Sequence, residues 1–258
     1  MECAGCTTRF TVSDELTPPN PGESNAVGKR IGQCQRPSGW MGRIVLWSMN
    51  RRHSRLTDWG LGHVSIHERD TILDVGCGGG RTVSKLAAAA SKGTVSGIDY
   101  APESVAAARR FNRKLIELGR IEIRQASVSN LPFADNGFDL VTAVETHFWW
   151  QDIGAGMREI FRVLKAGGRM LMVAEFYNGG RHAKYADRLA RWTTMAILDV
   201  DQHKALFSSA GFTDVQIVEE RTKGWICGMG TKPGGRTNAE ADERSRPSRG
   251  PRGPIIGG

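Results

Sequence analysis

Thr71-Ile72-Leu73-Asp74-Val75-Gly76-Cys77-Gly78-Gly79-Gly80 is the stretch on which the reading of this chain turns. Ile72, Leu73 and Val75 suit a strand covered on both faces. Gly76, Gly78 and Gly80 allow a sharp turn and a close approach of backbone to a ligand, where a Cβ would collide. The alanine- and leucine-rich segment Thr82 to Ala90 is helix-forming. Its free N–H groups would point at whatever lies over the turn. The stretch therefore predicts a buried strand, a glycine turn and a helix starting near Arg81.

The spacing of the glycines narrows the chemistry. The dinucleotide fingerprint G-x-G-x-x-G fails, because its third glycine would fall on Arg81 or Val83. The pattern acidic-x-Gly-x-Gly-x-Gly fits, with Asp74, Gly76, Gly78 and Gly80 in the slots. This resembles the first motif of class I S-adenosylmethionine-dependent methyltransferases. The resemblance covers about Asp70 to Lys232. It implies a Rossmann-like, doubly wound α/β fold with a seven-stranded sheet, mostly parallel and closed by an antiparallel hairpin. It also implies S-adenosylmethionine as cofactor.

Downstream segments arrive in the order that fold needs. A strand over Thr94 to Ile98 ends in Asp99, about 20 residues beyond the turn, where a carboxylate is placed to accept hydrogen bonds from ribose hydroxyls. The other reading of Asp99 is a carboxylate favoured by the dipole of the helix from Glu103 to about Leu118. The resemblance sets Tyr100 against an adenine ring. Ile121 to Ala126 reads as the third strand. Ser127 stands where the family often carries an Asp that binds the adenine amine, and the Val128 N–H would serve a ring nitrogen. Phe138 to Val144 is the fourth strand, followed by Glu145-Thr146-His147-Phe148-Trp149-Trp150. Open α/β sheets bind ligands at such strand ends. Here the resemblance makes Glu145 a holder of the cofactor's amino group.

His147 is the candidate base, read as facing the methyl position; the alternative is a hydrogen-bonded structural histidine. Trp149 and Trp150 would surround a sulfonium or an apolar substrate, or fill the core. The Asn/Asp-Pro-Pro-Tyr/Phe motif of enzymes that methylate exocyclic or amide nitrogens is absent. A helix over Asp152 to Leu164 is expected to stop at the glycines of Lys165-Ala166-Gly167-Gly168, ahead of a fifth strand from Arg169 to Phe176. Tyr177 to Leu198 shows no strand signal; the resemblance makes it part of a substrate wall, with Tyr177 and Arg181 as contacts. Asp201 to Ala210 is the last helix. Thr213 to Glu219 and Gly224 to Gly230 form the closing hairpin, which separates this fold from wholly parallel dinucleotide-binding sheets.

Composition bounds the rest. The 258 residues suffice for one α/β domain. No apolar run approaches the ~20 residues of a membrane span. Five scattered cysteines point to reduced thiols and a cytoplasmic setting. Cys3 and Cys6 form a C-x-x-C with no second pair, so no metal site is expected. The net charge of +8 raises a nucleic-acid partner, but the basic residues concentrate in the Arg51 to Arg55 stretch and in a Gly- and Pro-rich tail. A solvated tail fits better, so nucleic acid is disfavoured and a small-molecule substrate preferred. The domain reading is a flexible arm over residues 1–37, a helical segment over 38–68, the methyltransferase domain over 69–232, and a disordered basic tail over 233–258. Short helices are expected over Gly42 to Ser48 and Leu56 to Ile66. The resemblance folds that helical segment over the cofactor, with His53 touching substrate.

Overall fold

A computed structural model describes residues 53–192 and 195–234. The cysteine pair, the Gly42 to Ser48 helix and the tail beyond residue 234 lie outside the described residues. The elements are α1 (Ser54–Leu61), β1 (Thr71–Val75), α2 (Arg81–Ala89), β2 (Thr94–Asp99), α3 (Pro102–Phe111), α4 (Arg113–Glu117), β3 (Ile121–Gln125), β4 (Phe138–Val144), α5 (Ile153–Val163), β5 (Leu164–Ala174), α6 (Ala183–Trp192), α7 (Val200–Ser209), β6 (Thr213–Glu220) and β7 (Trp225–Thr231).

The strands form one seven-stranded sheet in the order β3-β2-β1-β4-β5-β7-β6. Neighbours from β3 to β5 run parallel. β7 lies antiparallel to both β5 and β6. The expected closing hairpin is therefore present. The chain leaves β1 in one direction and returns on its other side as β4. This reversal opens a crevice at the carboxyl ends of β1 and β4, where ligands bind in such sheets.

Both faces of the sheet are covered, as near-continuous apolar strands require. Leu73, Val75, Val141, Ala143, Met170 and Met172 pack on one side with Met157 and Ile160 of α5 and Phe207 of α7. Ile72, Leu140, Leu171 and Val173 pack on the other with Leu56 of α1 and Val83 and Leu86 of α2. Alternation along β1 and β4 puts Asp74 and Thr142 on this second side. The parallel register sets them directly opposite each other. Phe176 and Tyr177 join Phe148 and Met195 in a smaller cluster against Ile226.

Several boundaries differ from the sequence expectation. Helix α3 breaks at Asn112 instead of running to Leu118, because the Asn112 side chain turns inward. Its Nδ2 donates to the Gly80 carbonyl at 2.9 Å and to Ala108 at 3.0 Å. Helix α1 stops at Leu61, short of Ile66. Helix α5 does not end on the Gly167 turn. The strand begins at Leu164, and Lys232 Nζ caps the helix end by donating to the carbonyls of Leu164 (2.7 Å) and Arg162 (3.3 Å). The segment after Tyr177 contains α6, which places Tyr185 edge-on to Phe176.

Asn112 is 2% exposed, and its loss removes two buried hydrogen bonds, to the carbonyls of Gly80 and Ala108. Asn112→Ala should therefore destabilise the domain by about 1–3 kcal/mol, read as a lower urea midpoint with an unchanged m-value. An unmoved midpoint would show the brace to be idle.

Candidate functional site

The turn after β1 is built as its glycines require. Gly76, Gly78 and Gly80 have φ of 72°, 51° and 81°, a region costly for any residue with a Cβ. The reasons for the missing side chains differ. A Cβ on Gly76 would sit 2.1 Å from Oγ1 of Thr146, and one on Gly80 would meet Asn112 at 2.5 Å. A Cβ on Gly78 meets no atom within 4 Å, because this glycine borders the crevice. Gly76 thus serves packing against the β4 turn, and Gly78 keeps a cavity open.

That cavity is lined by Val75, Gly76 and Gly78 from the turn, and by Ile98, Asp99, Tyr100 and Ser104 around the end of β2. Ala126, Ser127, Val128 and Ser129 follow β3, and Glu145, Thr146, Trp149, Trp150 and Gln151 follow β4. Nine sequence-predicted residues meet here: Gly76, Gly78, Asp99, Tyr100, Ser127, Val128, Glu145, Trp149 and Trp150. The resemblance did not single out Ser104, Thr146 or Gln151. Their small polar side chains carry no pattern of their own, and only the fold brings them to the crevice.

Asp99 is the hub. One carboxylate oxygen accepts from the Gly78 N–H and the other from the Ala101 N–H, both at 2.9 Å. The carboxylate also stands at the N-terminal end of α3, whose N-cap is Ala101, where the helix dipole favours it. The carboxyl lines the cavity while holding the glycine turn. Burial raises its pKa, opposed by the bonds from Ala101, Gly78 and Ser104.

Asp74 sits behind the turn, 2% exposed, and Thr142 Oγ1 donates to it at 2.7 Å. It does not line the cavity; the bond from Thr142 ties it to β4. Burial pushes its pKa up to about 7; the Thr142 bond opposes this and the nearby Asp99 charge adds to it. Burial, followed by the two carboxylates, also raises the Cys77 thiol, so this cysteine is a packed filler.

Glu145 ends β4 in a left-handed conformation, φ 59°. The N–H of Glu175 donates to one of its oxygens. The other lies 3.9 Å from Nε2 of His53, which stands at the same distance from Glu175. His53 thus reaches the cavity through Glu145. Trp149 lines the crevice half-buried, while Trp150 is mostly enclosed and directs Nε1 at Thr146 Oγ1, 3.4 Å away.

Besides Asp74 and His53, three further predicted site residues stand outside the cavity lining. His147 begins the short 3-10 turn after β4, which swings its ring inward. It is 2% exposed, packed on Phe148 and Trp150, and does not line the cavity. An enclosed ring cannot take a proton from a substrate there, so the base role is withdrawn. Tyr177 is buried and its hydroxyl donates to Glu219. Arg181 donates to the carbonyl of Thr222. Both tie the segment after β5 to the closing hairpin, not to the crevice.

The geometry meets known proteins at this point. The family described as "Methyltransferase domain" matches residues 73–172, the span from the glycine turn through β5. An O-methyltransferase of Pyrenophora dematioidea is 29% identical over 180 residues, 68% of this chain and 66% of that one. A 27-O-demethylrifamycin SV methyltransferase of Amycolatopsis mediterranei (strain S699) is 32% identical over 119 residues, 46% of this chain and 43% of that one. The solved structure of a SAM-dependent methyltransferase from Aquifex aeolicus superposes with a TM-score of 0.60 at 19% identity, over 73% of this chain and 97% of that one. Residues 73–172 thus match a methyltransferase domain, and the fold is that of a SAM-dependent methyltransferase. Among the described residues no helix is long and apolar enough to cross a membrane.

The cavity fits the cofactor on its own evidence: the Gly78 Cβ position is open, and a carboxylate, an aromatic ring and a second carboxylate line one crevice. Gly78→Val should therefore reduce S-adenosylhomocysteine affinity below detection in calorimetry while strain alone costs the fold about 1–2 kcal/mol. Gly76→Val should fail first in stability, through its clash with Thr146. Equal effects of the two would contradict the assignment. The raised pKa of Asp74 has a further consequence. The folded state holds its proton up to about pH 7 while the unfolded carboxyl ionises near 4, so this group makes stability fall as pH rises across that window. Asp74→Asn should flatten that slope and raise apo-protein stability at pH 8, by up to about 4 kcal/mol. Denaturation midpoints between pH 4 and 8 measure it, and a parallel pair of curves would refute it.

Proposed function

We propose that the protein methylates a small-molecule acceptor, with the crevice between the β1 and β4 ends holding both cofactor and acceptor. The observation that supports this reading is the lining of the crevice beside Glu145, where the aromatic rings of Trp149 and Trp150 stand with Gln151. A compact organic acceptor suits such a recess better than a duplex or a folded protein surface. The names of the O-methyltransferase relatives support the same class.

When bound, S-adenosylmethionine supplies a methyl group already activated by its sulfonium charge. The chain's task is then to position the acceptor and exclude water. We assign the Asp99 carboxylate to the ribose hydroxyls, since it lines the cavity and the bonds from Gly78, Ala101 and Ser104 leave one of its roughly four lone pairs open. Tyr100 offers its face to the adenine, the Ser127 hydroxyl meets the adenine amine, and the Val128 N–H meets a ring nitrogen. Glu145 holds the cofactor's amino group, and Trp149 shields the reaction centre. Its π-face favours a neighbouring cation. His53 borders the acceptor end through Glu145. We keep the helical segment 38–68 as the cover of the site; its described part, α1, packs on β5 where Gly60 meets Val173.

Asp99→Ala removes the brace on Gly78 together with the ribose contact. We expect S-adenosylhomocysteine to bind about thirty- to a thousand-fold more weakly, with a lower unfolding midpoint. Asp99→Glu should recover part of the affinity. Affinity unchanged in both variants would remove Asp99 from the site. For the acceptor, incubation with methyl-labelled donor and a metabolite extract should put label in the low-mass fraction. Label confined to RNA or protein would overturn the small-molecule reading.

A further inference from the structure

His147 and His203 come from distant parts of the chain, the turn after β4 and helix α7, yet are both enclosed, at 2% and 1% exposure. Their rings meet edge to face with centroids 5.3 Å apart. Among the described residues, each has one buried nitrogen without a hydrogen-bond partner: Nδ1 of His147 and Nε2 of His203. Unsatisfied buried polar atoms are rare in folded proteins because each forfeits its hydration.

The chemistry of the rings says how the two are related. Nδ1 of His203 lies 2.6 Å from the carbonyl oxygen of Asp199. A carbonyl only accepts, so this nitrogen carries the hydrogen. A neutral imidazole protonated at Nδ1 has a bare lone pair at Nε2. An acceptor without a donor therefore stands beside a ring whose own unpartnered nitrogen is a donor in one of its two tautomers. We infer that Nδ1–H of His147 donates to Nε2 of His203 across one enclosed water, and that this imidazole pair is a latch positioning the cavity wall from Glu145 to Gln151 on α7.

The surroundings agree with that role. Residues on both sides of His147 line the cavity, Glu145 and Thr146 before it and Trp149 to Gln151 after it. Among the described residues, the backbone tie between this turn and the chain ahead of α7 is the Ala196 N–H donating to the Phe148 carbonyl at 3.0 Å. The charged group at His203 is Asp199, whose carboxylate caps α7 through Gln202 N. The titratable group at His147 is His203 itself. Burial, then the neighbouring charge for His147, keeps both imidazoles below the usual histidine range. Protonating Nε2 of His203 would abolish the acceptor. Because the unfolded chain takes these protons first, the latch contributes stability above about pH 6.5 that is lost as pH falls below it.

Nitrogen-15 NMR of the histidine rings in the wild-type protein at pH 7 tests the pairing without any variant. The inference requires both His147 and His203 to be neutral and protonated at Nδ1; an Nε2–H tautomer at His147 overturns it. Two substitutions test the positioning role. In His203→Gln the side-chain carbonyl can occupy the Nε2 position and accept, whereas His203→Asn keeps the donor to Asp199 and leaves that position vacant. His203→Gln should hold the His147 tautomer and bind S-adenosylhomocysteine within about threefold of wild type. His203→Asn should lose the tautomer bias and bind about tenfold more weakly, about 1.4 kcal/mol. Equal affinity in the two variants would contradict the latch. The affinity arm rests on the cofactor reading; the tautomer arm does not. Failure of wild type to bind S-adenosylhomocysteine would therefore sink that reading and leave the tautomers to decide the latch.

Discussion

The structure depends on one carboxylate doing backbone work. Asp99, at the end of β2, receives the N–H of Gly78 from the neighbouring turn and the N–H of Ala101 from its own. A glycine-rich turn has the largest conformational entropy to lose on folding. Without a fixed acceptor its N–H groups would wander. Charge-assisted bonds to a buried carboxylate are the strong kind. They hold the turn in left-handed geometry and leave the Gly78 side of the crevice empty. The cofactor surface is thus shaped by the same group that would bind the ribose. The cost is a buried negative charge, visible in the raised pKa of Asp99 and in the still larger effect on Asp74 behind it.

From that point the fold explains the site by position. The sheet reverses direction between β1 and β4, so the two loops carrying Gly76–Gly80 and Glu145–Gln151 face each other across a gap. Gly76 admits Thr146 into near contact, which sets the width of that gap. The β4 loop is rigid from beneath: His147 and Phe148 turn into the core, while Thr146 and Trp149 remain at the crevice. A loop that alternates inward and outward in this way places chemistry on one side and support on the other.

Much of this was legible in the sequence, because it rests on local patterns. The glycine spacing, the acid at the end of β2 and the apolar strands are each set by nearest neighbours and by covered sheet faces. The closing hairpin followed from alternation in Thr213 to Glu219 and Gly224 to Gly230. What was not legible depends on partners distant in the chain. Helix α3 ends at Asn112 because that side chain finds Gly80, 32 residues away. Lysine 232, at the far end of β7, does the capping that Gly167 was expected to do. His147 looked like a base because it follows a central strand, but the direction of its ring is set by a 3-10 turn and by His203. Tyr177 and Arg181 looked like substrate contacts, but Glu219 and Thr222 of the hairpin claim them.

The account's central claim is that Asp99 serves the glycine turn and the nucleoside at once. A crystal structure of the protein with S-adenosylhomocysteine tests this most directly. The account predicts the ribose hydroxyls within hydrogen-bond distance of the Asp99 carboxylate while its bonds from Gly78 and Ala101 persist, with the adenine between Tyr100 and Val128. A ligand whose ribose lies away from Asp99, or a carboxylate that releases Gly78 on binding, would contradict it.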